Sequence, residues 1–255
     1  MNEQAHIHVI IGQLAIEYSA DAIRALESCG ESAIAPLLDA LLRPDIDPYG
    51  HDAFAEALVK ILLGRRHPQT ANLLVVLLEH QNADVRRRAI YGLGASGDRL
   101  AVHILRITLY DRNDLVGKAA AEALIQLLYG PPGVDSFAAA LRDSEARVRY
   151  YAVRQLEQMQ ATDRLIAATD NEDRVVRRIA IWYLARARVA HAAQVLIHAL
   201  QDSDIEVRGG AVYALGNLGD ARAVKVLLPL LDDPEAVVVQ LTGDALFKLG
   251  YASTA

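Results

Sequence analysis

Arginine recurs at matching places along the chain, and its spacing suits the binding of anions. Each of these arginines follows a valine, and the pairs are Val85-Arg86, Val148-Arg149, Val176-Arg177 and Val207-Arg208. A row of guanidinium groups can bind carboxylates or phosphates. The alternative is a structural ladder of ion pairs, because acidic residues such as Asp143 and Asp202 lie close by in the sequence. The acidic neighbours favour the ladder.

The eight histidines raise the question of a metal or catalytic site, and their spacing argues against one. His6 and His8 are two residues apart and would face different sides of a helix. His191 and His198 are seven residues apart on one predicted helix, too far to share an ion. The sequence also lacks a nucleophile elbow and a phosphate-binding glycine loop. We therefore predict no catalytic residue, no metal site and no cofactor.

The valines belong to a helical pattern that must position the arginines. Val85, Val116, Val148, Val176, Val207 and Val238 follow one another at intervals of 31, 32, 28, 31 and 31 residues. Four, five and eight positions after each valine come small or apolar residues, such as Ala211, Val212 and Leu215, which form one face of a helix. A second amphipathic segment precedes each of these helices. A fixed period of this length predicts stacked helix pairs.

Irregular segments suggest how the chain is divided. We predict N-terminal capping helices over 1–32, a repeat array over 33–250 and a frayed tail over 251–255. The segment 130–133, Gly-Pro-Pro-Gly, predicts a sharp turn between repeats. The shorter interval before Val176 predicts that the outer helix at 162–169 has lost a turn.

Composition limits the functional classes. The chain has 255 residues, of which 53% are hydrophobic and only 5% aromatic, and its formal net charge is −6. That charge disfavours a dedicated nucleic-acid binder. The single cysteine, Cys29, excludes an internal disulfide. The sequence shows neither a basic N-terminal segment nor an apolar run of membrane-spanning length, so we expect a cytoplasmic protein without a membrane partner.

One repeat carries a family resemblance. Residues 202–220 read DSDIEVRGGAVYALGNLGD, which resembles the HEAT-repeat consensus and, more narrowly, the HEAT-like repeats named after phycobilin lyases. The resemblance extends over about 33–250. It implies an all-α fold, a right-handed α-solenoid of about seven stacked antiparallel helix pairs, with the Val-Arg helices lining the concave side.

The resemblance also implies the ladder. Members of the family join adjacent repeats through Asp and Arg. The matching residues here are Asp143 with Arg149 and Asp202 with Arg208, together with Arg86 and Arg177. Gly117 and Val239 stand where the arginine is expected, so packing alone should hold those two repeats.

On that architecture, the positions two and six residues after each valine point away from the core and line the concave surface. They include Arg87, Tyr91, Lys118, Glu122, Tyr150, Arg154, Arg178, Trp182, Tyr213 and Asp244. Aromatic residues and arginine are the usual energetic anchors of protein interfaces, so we predict a partner-binding stripe. The alternative is that Trp182 or Tyr183 fills a gap left by the short repeat. Gly209 and Gly210 either leave room for a ligand or permit close helix packing.

These observations favour a non-enzymatic scaffold or adaptor that binds a protein or peptide on its concave face. The alternative is a subunit of a phycobilin lyase or related chromophore-handling complex, in which arginine and tyrosine would hold a linear tetrapyrrole. A third possibility is an adaptor inside a larger enzyme complex. The di-iron deoxyhypusine hydroxylases, which the repeats also resemble, need His-Glu pairs on their inner helices, and this chain has no His-Glu dipeptide.

Overall fold

The computed structural model describes residues 2–64, 67 and 69–251, without the side chain of Ala190. All regular secondary structure in these residues is helical, and the helices alternate in pairs. We call the first helix of a pair the A helix and the second, which carries the repeat valine, the B helix. This arrangement confirms the predicted all-α class of stacked helix pairs. Within the described ranges, no helix combines the length and the apolar character that crossing a membrane requires.

Contacts divide the chain into two compact units, and unit 1 is Met1–Pro132. Its helices are α1 (Glu3–Leu14), α2 (Ala20–Cys29), α3 (Ile34–Leu41), α4 (Pro48–Gly64), α5 (Thr70–Leu77), α6 (Ala83–Ser96), α7 (Ala101–Thr108) and α8 (Asp114–Tyr129). The B helix α6 packs between the B helices α4 and α8, and α2 packs on α4. The pair α1 and α2 thus forms the first layer of this unit.

Unit 2 is Gly133–Ala255, so the division falls within the Gly-Pro-Pro-Gly segment. Its helices are α9 (Val134–Ala140), α10 (Ala146–Gln158), α11 (Thr162–Ala168), α12 (Arg174–Ala187), α13 (Ala193–Ala199), α14 (Ile205–Leu218), α15 (Val224–Leu227) and α16 (Ala236–Lys248). The B helices α10, α12, α14 and α16 pack side by side in chain order. The predicted tail beyond Tyr251 lies outside the described residues.

The core consists of the faces that the repeat pattern marks. Val207 and Ala211 have no exposed surface, and Leu215 is almost fully buried. Burial of each valine or leucine side chain contributes about 1.5–3 kcal/mol. Small residues bring neighbouring B helices together, because a Cβ on Gly216 would lie 2.8 Å from the Cβ of Ala245. Side-chain volume at these contacts therefore sets the helix spacing.

Local sequence explains where the B helices begin and end. Asn113 and Asp204 accept backbone N–H groups of the first turn as N-caps, which satisfies donors that have no partner inside the helix. Gly97 and Gly219 end α6 and α14 with φ of 71° and 73°. Glycine adopts this left-handed conformation at little cost. These residues define where the two kinds of turn meet the B helices.

The turn predicted to be lost from the outer helix at 162–169 is missing from the segment before the α-helix and not from the α-helix itself. Helix α11 has seven residues, as α9 and α13 do. The shorter repeat instead lacks the 3₁₀ turn that precedes α13 at Ala190–Ala192. Only three residues separate α10 from α11. Tyr183, which is buried, packs at this junction, and its hydroxyl lies 3.2 Å from Oγ1 of Thr162.

Candidate functional site

The repeated arginines bind the turn of their own repeat and the carboxylate of the next. Nη1 of Arg177 donates to the carbonyl oxygens of Asn171 at 2.8 Å and Glu172 at 3.0 Å. Nε and Nη2 donate to the carboxylate of Asp202 at 2.7 and 2.9 Å. Such paired, charge-assisted hydrogen bonds are stronger and more directional than neutral ones. Each arginine therefore joins two adjacent turns.

The same arrangement recurs in both units. The carboxylate partners are Asp111 for Arg86, Asp173 for Arg149, Asp202 for Arg177 and Asp233 for Arg208. These guanidinium groups are buried or largely buried, and carboxylates and carbonyls occupy their donors. The geometry places them in ion pairs beneath the surface rather than on an open anion-binding row.

The partners differ from those that the resemblance implies. Within one repeat, Arg208 contacts the main-chain carbonyl of Asp202, and Arg149 contacts that of Asp143. The side chain of Asp202 instead accepts the backbone N–H of Asp204 at 2.8 Å, and in that orientation it meets Arg177 of the preceding repeat. The carboxylate of each pair therefore comes from the following repeat.

The environment of these aspartates favours their ionised form. The hydrogen bonds that Arg208 donates hold the pKa of Asp233 below its ordinary value. Burial raises the pKa of Asp202, but hydrogen bonds from Arg177 and from the backbone outweigh it, so that this pKa is also lowered. Attraction to a cation and hydrogen bonds to the charged form both act in this direction. The ladder is thus made of charged pairs at neutral pH.

The two interruptions of the ladder coincide with the ends of the units. Gly117 lies in α8, the last B helix of unit 1, and Val239 lies in α16, the last B helix of unit 2. Within the described residues, the ladder is therefore interrupted only at the last B helix of each unit, apart from α4, where a histidine stands in place of the arginine.

Between α4 and α6, a pair of histidines replaces the arginine and the aspartate of the ladder. His51 lies one residue after Gly50, which holds the repeat-valine position of α4. His80 lies five residues before Val85, the place that Asp111, Asp202 and Asp233 hold in their repeats. Their rings meet edge to face, with centroids 5.0 Å apart. Nε2 of His51 bonds the carbonyl of Arg43, and Nδ1 of His80 accepts the N–H of Asn82 at 3.1 Å. The imidazoles thus bond a turn carbonyl and a backbone N–H, as arginine and aspartate do elsewhere, but ring packing replaces the ion pair between them.

On the B helices of unit 1, the predicted stripe is exposed and rich in charge pairs. Arg87 pairs with Asp84 at 2.8 Å and Lys118 with Asp114 at 2.7 Å, each along one helix. Tyr91 is 65% exposed, and Glu122 is also exposed. On neighbouring α4, the corresponding positions hold the acids Asp52 and Glu56, and Arg88 pairs with both. In this part of the stripe, the basic side chains pair with acidic side chains of the same or the neighbouring B helix.

On unit 2, the predicted residues come together around an aromatic pair. The rings of Trp182 on α12 and Tyr213 on α14 lie 5.5 Å apart at 39°. Arg178, one turn before Trp182, pairs with Glu206 of α14 at 3.0 Å. On flanking α10, Tyr150 is 47% exposed, and Arg154 pairs with Glu157. Asp244 is exposed on α16.

Two glycines lie at close contacts between the B helices beside the aromatic pair. A Cβ on Gly210 would lie 2.9 Å from Cγ2 of Ile181 and 3.3 Å from Nε1 of Trp182. A Cβ on Gly209 would lie 3.0 Å from Cδ1 of Leu241 in the next repeat. Both glycines therefore serve close packing, and Gly210 seats the indole.

Sequence reasoning missed Lys248. Its Nζ lies 5.0 Å from the centroid of Tyr213 and 3.2 Å from Oδ1 of Asn217. A cation over an aromatic face is attracted by the ring quadrupole. Lys248 stands ten positions after the repeat valine, one helical turn beyond the predicted stripe, and extending the stripe by that turn would have found it. We define the Trp182 patch as Arg178, Trp182, Tyr213 and Lys248.

No cluster of three or more His, Cys, Asp or Glu side chains suited to a metal ion occurs in the described part of the chain. The HEAT repeat family matches residues 34–125 and 162–246. These two segments cover more than half of the sequence, and the chain belongs to the HEAT repeat family. The narrower phycobilin lyase type is not confirmed. HEAT and armadillo-like scaffolds commonly bind other proteins.

Solved structures similar to the chain include human deoxyhypusine hydroxylase in complex with glycerol, with 22% identity, a TM-score of 0.40 and coverage of 98% of this chain and 97% of that one. An engineered protein has 21% identity, a TM-score of 0.43 and coverage of 98% and 79%. A designed armadillo repeat protein in complex with a (KR)4 peptide has 17% identity, a TM-score of 0.34 and coverage of 85% and 99%. No curated protein sequence matches the chain significantly.

Proposed function

We propose that this protein is a non-enzymatic adaptor whose B helices in unit 2 bind a partner protein or an extended peptide. The observation that carries the proposal is the half-exposed aromatic pair of Trp182 and Tyr213, which bridges two B helices. The proposed binding face also includes Tyr150, Arg154, Arg178 and Asp244. It forms the concave side on which the partner docks.

Energetics support this choice. Tryptophan, tyrosine and arginine dominate binding energy at interfaces, and truncation of such an anchor costs at least about 2 kcal/mol. Ring packing across α12 and α14 and the close seat on Gly210 hold the anchors in place before binding. A preorganised surface loses little conformational entropy when a partner binds.

The predicted stripe residues of unit 1, which are Arg87, Tyr91, Lys118 and Glu122, lie outside the binding face that we propose. Their ion pairs are exposed and contribute little to stability or affinity. Cys29, the lone cysteine, is a free thiol, which supports a reducing, cytoplasmic setting for this activity.

The test compares matched double variants. Trp182→Ala with Arg178→Glu removes the anchor and reverses the charge beside it. Tyr91→Ala with Arg87→Glu makes the same kinds of change at the same repeat positions in unit 1. Tagged wild type and both variants are used for affinity capture from the native host, followed by quantitative mass spectrometry. Partner recovery should fall at least about thirtyfold for the unit 2 variant and stay close to wild type for the control.

Thermal unfolding of all three proteins accompanies the capture. The midpoints should stay close together, because the altered side chains are at least partly exposed. Undiminished capture by the unit 2 variant would refute the proposal.

The second candidate is a chromophore-handling subunit. The cations of the Trp182 patch suit the propionates of a linear tetrapyrrole, and its aromatic rings suit the pyrroles. Mixing the protein with a bilin would then shift the visible absorbance band, and the shift would disappear in Trp182→Ala. An unchanged spectrum at a protein excess removes this candidate.

A further inference from the structure

Two side chains of the Trp182 patch offer hydrogen-bond donors. Within the described part of the chain, neither the indole N–H of Trp182 nor the hydroxyl of Tyr213 has a hydrogen-bond partner. The two rings contact each other, and Lys248 lies over the ring of Tyr213. An indole offers only a donor, and a tyrosine hydroxyl offers one as well. A group that accepts hydrogen bonds would satisfy both.

Lys248 supplies a cation without a carboxylate of its own. Its ammonium rests on the ring of Tyr213 and on the amide oxygen of Asn217. No described carboxylate lies within ion-pair distance of it, although Asp244 stands one turn earlier on the same helix. Charge-assisted hydrogen bonds to a carboxylate are about twice as strong as neutral ones. Lys248 therefore has capacity for a carboxylate from outside.

The net charge around the patch is opposite in sign to the net charge of the whole chain. The cations on this surface are Arg154, Arg178, Arg186 and Lys248, and the carboxylates are Glu157, Glu206 and Asp244. Glu157 serves two arginines, Arg154 and Arg186. The surface thus has a small positive excess in a chain of net charge −6. Complementary charge selects partners and speeds their encounter.

We infer that the partner presents an acidic segment, in which glutamate or aspartate residues flank an apolar or aromatic side chain. The apolar side chain packs on Trp182 and Tyr213. One neighbouring carboxylate accepts hydrogen bonds from Lys248, and a second acceptor binds the indole N–H. This inference rests on the proposed binding face and adds the chemistry of its partner.

Trp182 is the only tryptophan in the chain, so its fluorescence reports on the patch directly. The probes are three short peptides without tryptophan, in which a central leucine is flanked by glutamates, by glutamines or by lysines. Isothermal calorimetry gives their affinities for the full-length protein. We expect the glutamate peptide to change Trp182 fluorescence and to bind at least about tenfold more tightly than the glutamine peptide, and the lysine peptide to bind most weakly.

Two variants locate the effect. Lys248→Gln should reduce affinity for the glutamate peptide about tenfold and leave the glutamine peptide unaffected. Lys118→Gln, which removes an exposed lysine from a B helix of unit 1, is the matched control and should change affinity less than about twofold. Circular dichroism checks that both variants remain folded.

The outcomes separate the two proposals. Equal affinity for the glutamate and glutamine peptides, with both lost in Trp182→Ala, overturns the acidic partner and leaves the binding face standing. Tighter binding of the lysine peptide, or equal losses in Lys248→Gln and Lys118→Gln, also overturns it. Failure of all three peptides to bind counts against the acidic segment, while the capture experiment tests the face independently. Binding of a bilin but not of the glutamate peptide assigns the carboxylate site to a tetrapyrrole and overturns the peptide partner.

Discussion

At the sixth position after the repeat valine, unit 1 carries Tyr91 and Glu122, whereas unit 2 carries Trp182 and Tyr213. The helices beneath have similar cores, because Val85, Ala89 and Leu93 of α6 are buried as Val207, Ala211 and Leu215 of α14 are. In unit 1, Arg88 binds the acids of α4, so the charges satisfy one another. In unit 2, aromatic rings meet and leave donors unused. The comparison teaches that the repeat constrains its core and ladder positions and leaves its outward positions to function.

The ladder shows the same contrast in a different form. At the ladder positions of the described residues, unit 2 has three Arg–Asp pairs between successive repeats. Unit 1 has one such ladder pair, between Arg86 and Asp111, and the histidine pair of His51 and His80. The binding face that we propose thus lies on the unit with more ladder ion pairs.

Loss of one ladder arginine should give the largest effect. Arg177→Ala leaves the carboxylate of Asp202 and two carbonyl oxygens without their donor, and we expect a loss of about 3 kcal/mol in the free energy of unfolding. Arg87→Ala is the control, because it removes an arginine whose ion pair is exposed. It should lower the free energy of unfolding by less than about 0.5 kcal/mol. Urea denaturation measures both. Equal losses would mean that the ladder contributes no more than a surface ion pair.

Acid should weaken the ladder pairs selectively. The lowered pKa of Asp202 means that its contribution is fully present above the unfolded-state pKa of about 3.9 and is lost as the pH falls through the lower folded-state pKa. The difference in thermal midpoint between wild type and Asp202→Asn should therefore persist at pH 5 and above, and shrink below about pH 4. The control is Asp84→Asn, whose partner Arg87 is exposed, and its difference should stay small throughout. A gap for Asp202→Asn that is independent of pH would contradict this assignment.

Restoring the ladder in unit 1 should have a smaller, stabilising effect. His51→Arg with His80→Asp places the usual pair between α4 and α6, and we expect a gain of about 1 kcal/mol in the free energy of unfolding. Each single variant should destabilise the protein, because each leaves one unmatched partner. A double-mutant cycle by urea denaturation gives the coupling. Additive effects would show that these positions do not form a ladder pair.

Much of the fold could be predicted from the sequence, because the same spacing of core residues recurs in each repeat. Val207, Ala211 and Leu215 recur at fixed spacing, and helical periodicity alone assigns them to the core. The division of the chain into two compact units was harder to predict from the sequence. Gly117 and the Gly-Pro-Pro-Gly segment both signalled a break, but neither indicates how contacts cluster.

The candidate site was only partly predictable. Helical spacing placed Trp182 and Tyr213 on one face, but not their ring contact, which needs the spacing and rotation of two helices. Lys248 reaches Tyr213 from a neighbouring helix through a long side chain, and no local pattern marks that reach. The histidine pair was missed because histidine resembles neither arginine nor aspartate in sequence, although its ring nitrogens can also bond backbone groups of the turns.

Site-specific photo-crosslinking tests the central claim most directly. A photoreactive phenylalanine analogue is placed at Tyr213 in one protein and at Tyr91 in another, and each is irradiated in cells of the native host. Both positions are six residues after a repeat valine, so they occupy the same place in the repeat. We predict a discrete adduct with a partner protein from position 213 and none from position 91. Equal adducts from the two positions, or an adduct from position 91 alone, would contradict the assignment of the binding face to unit 2.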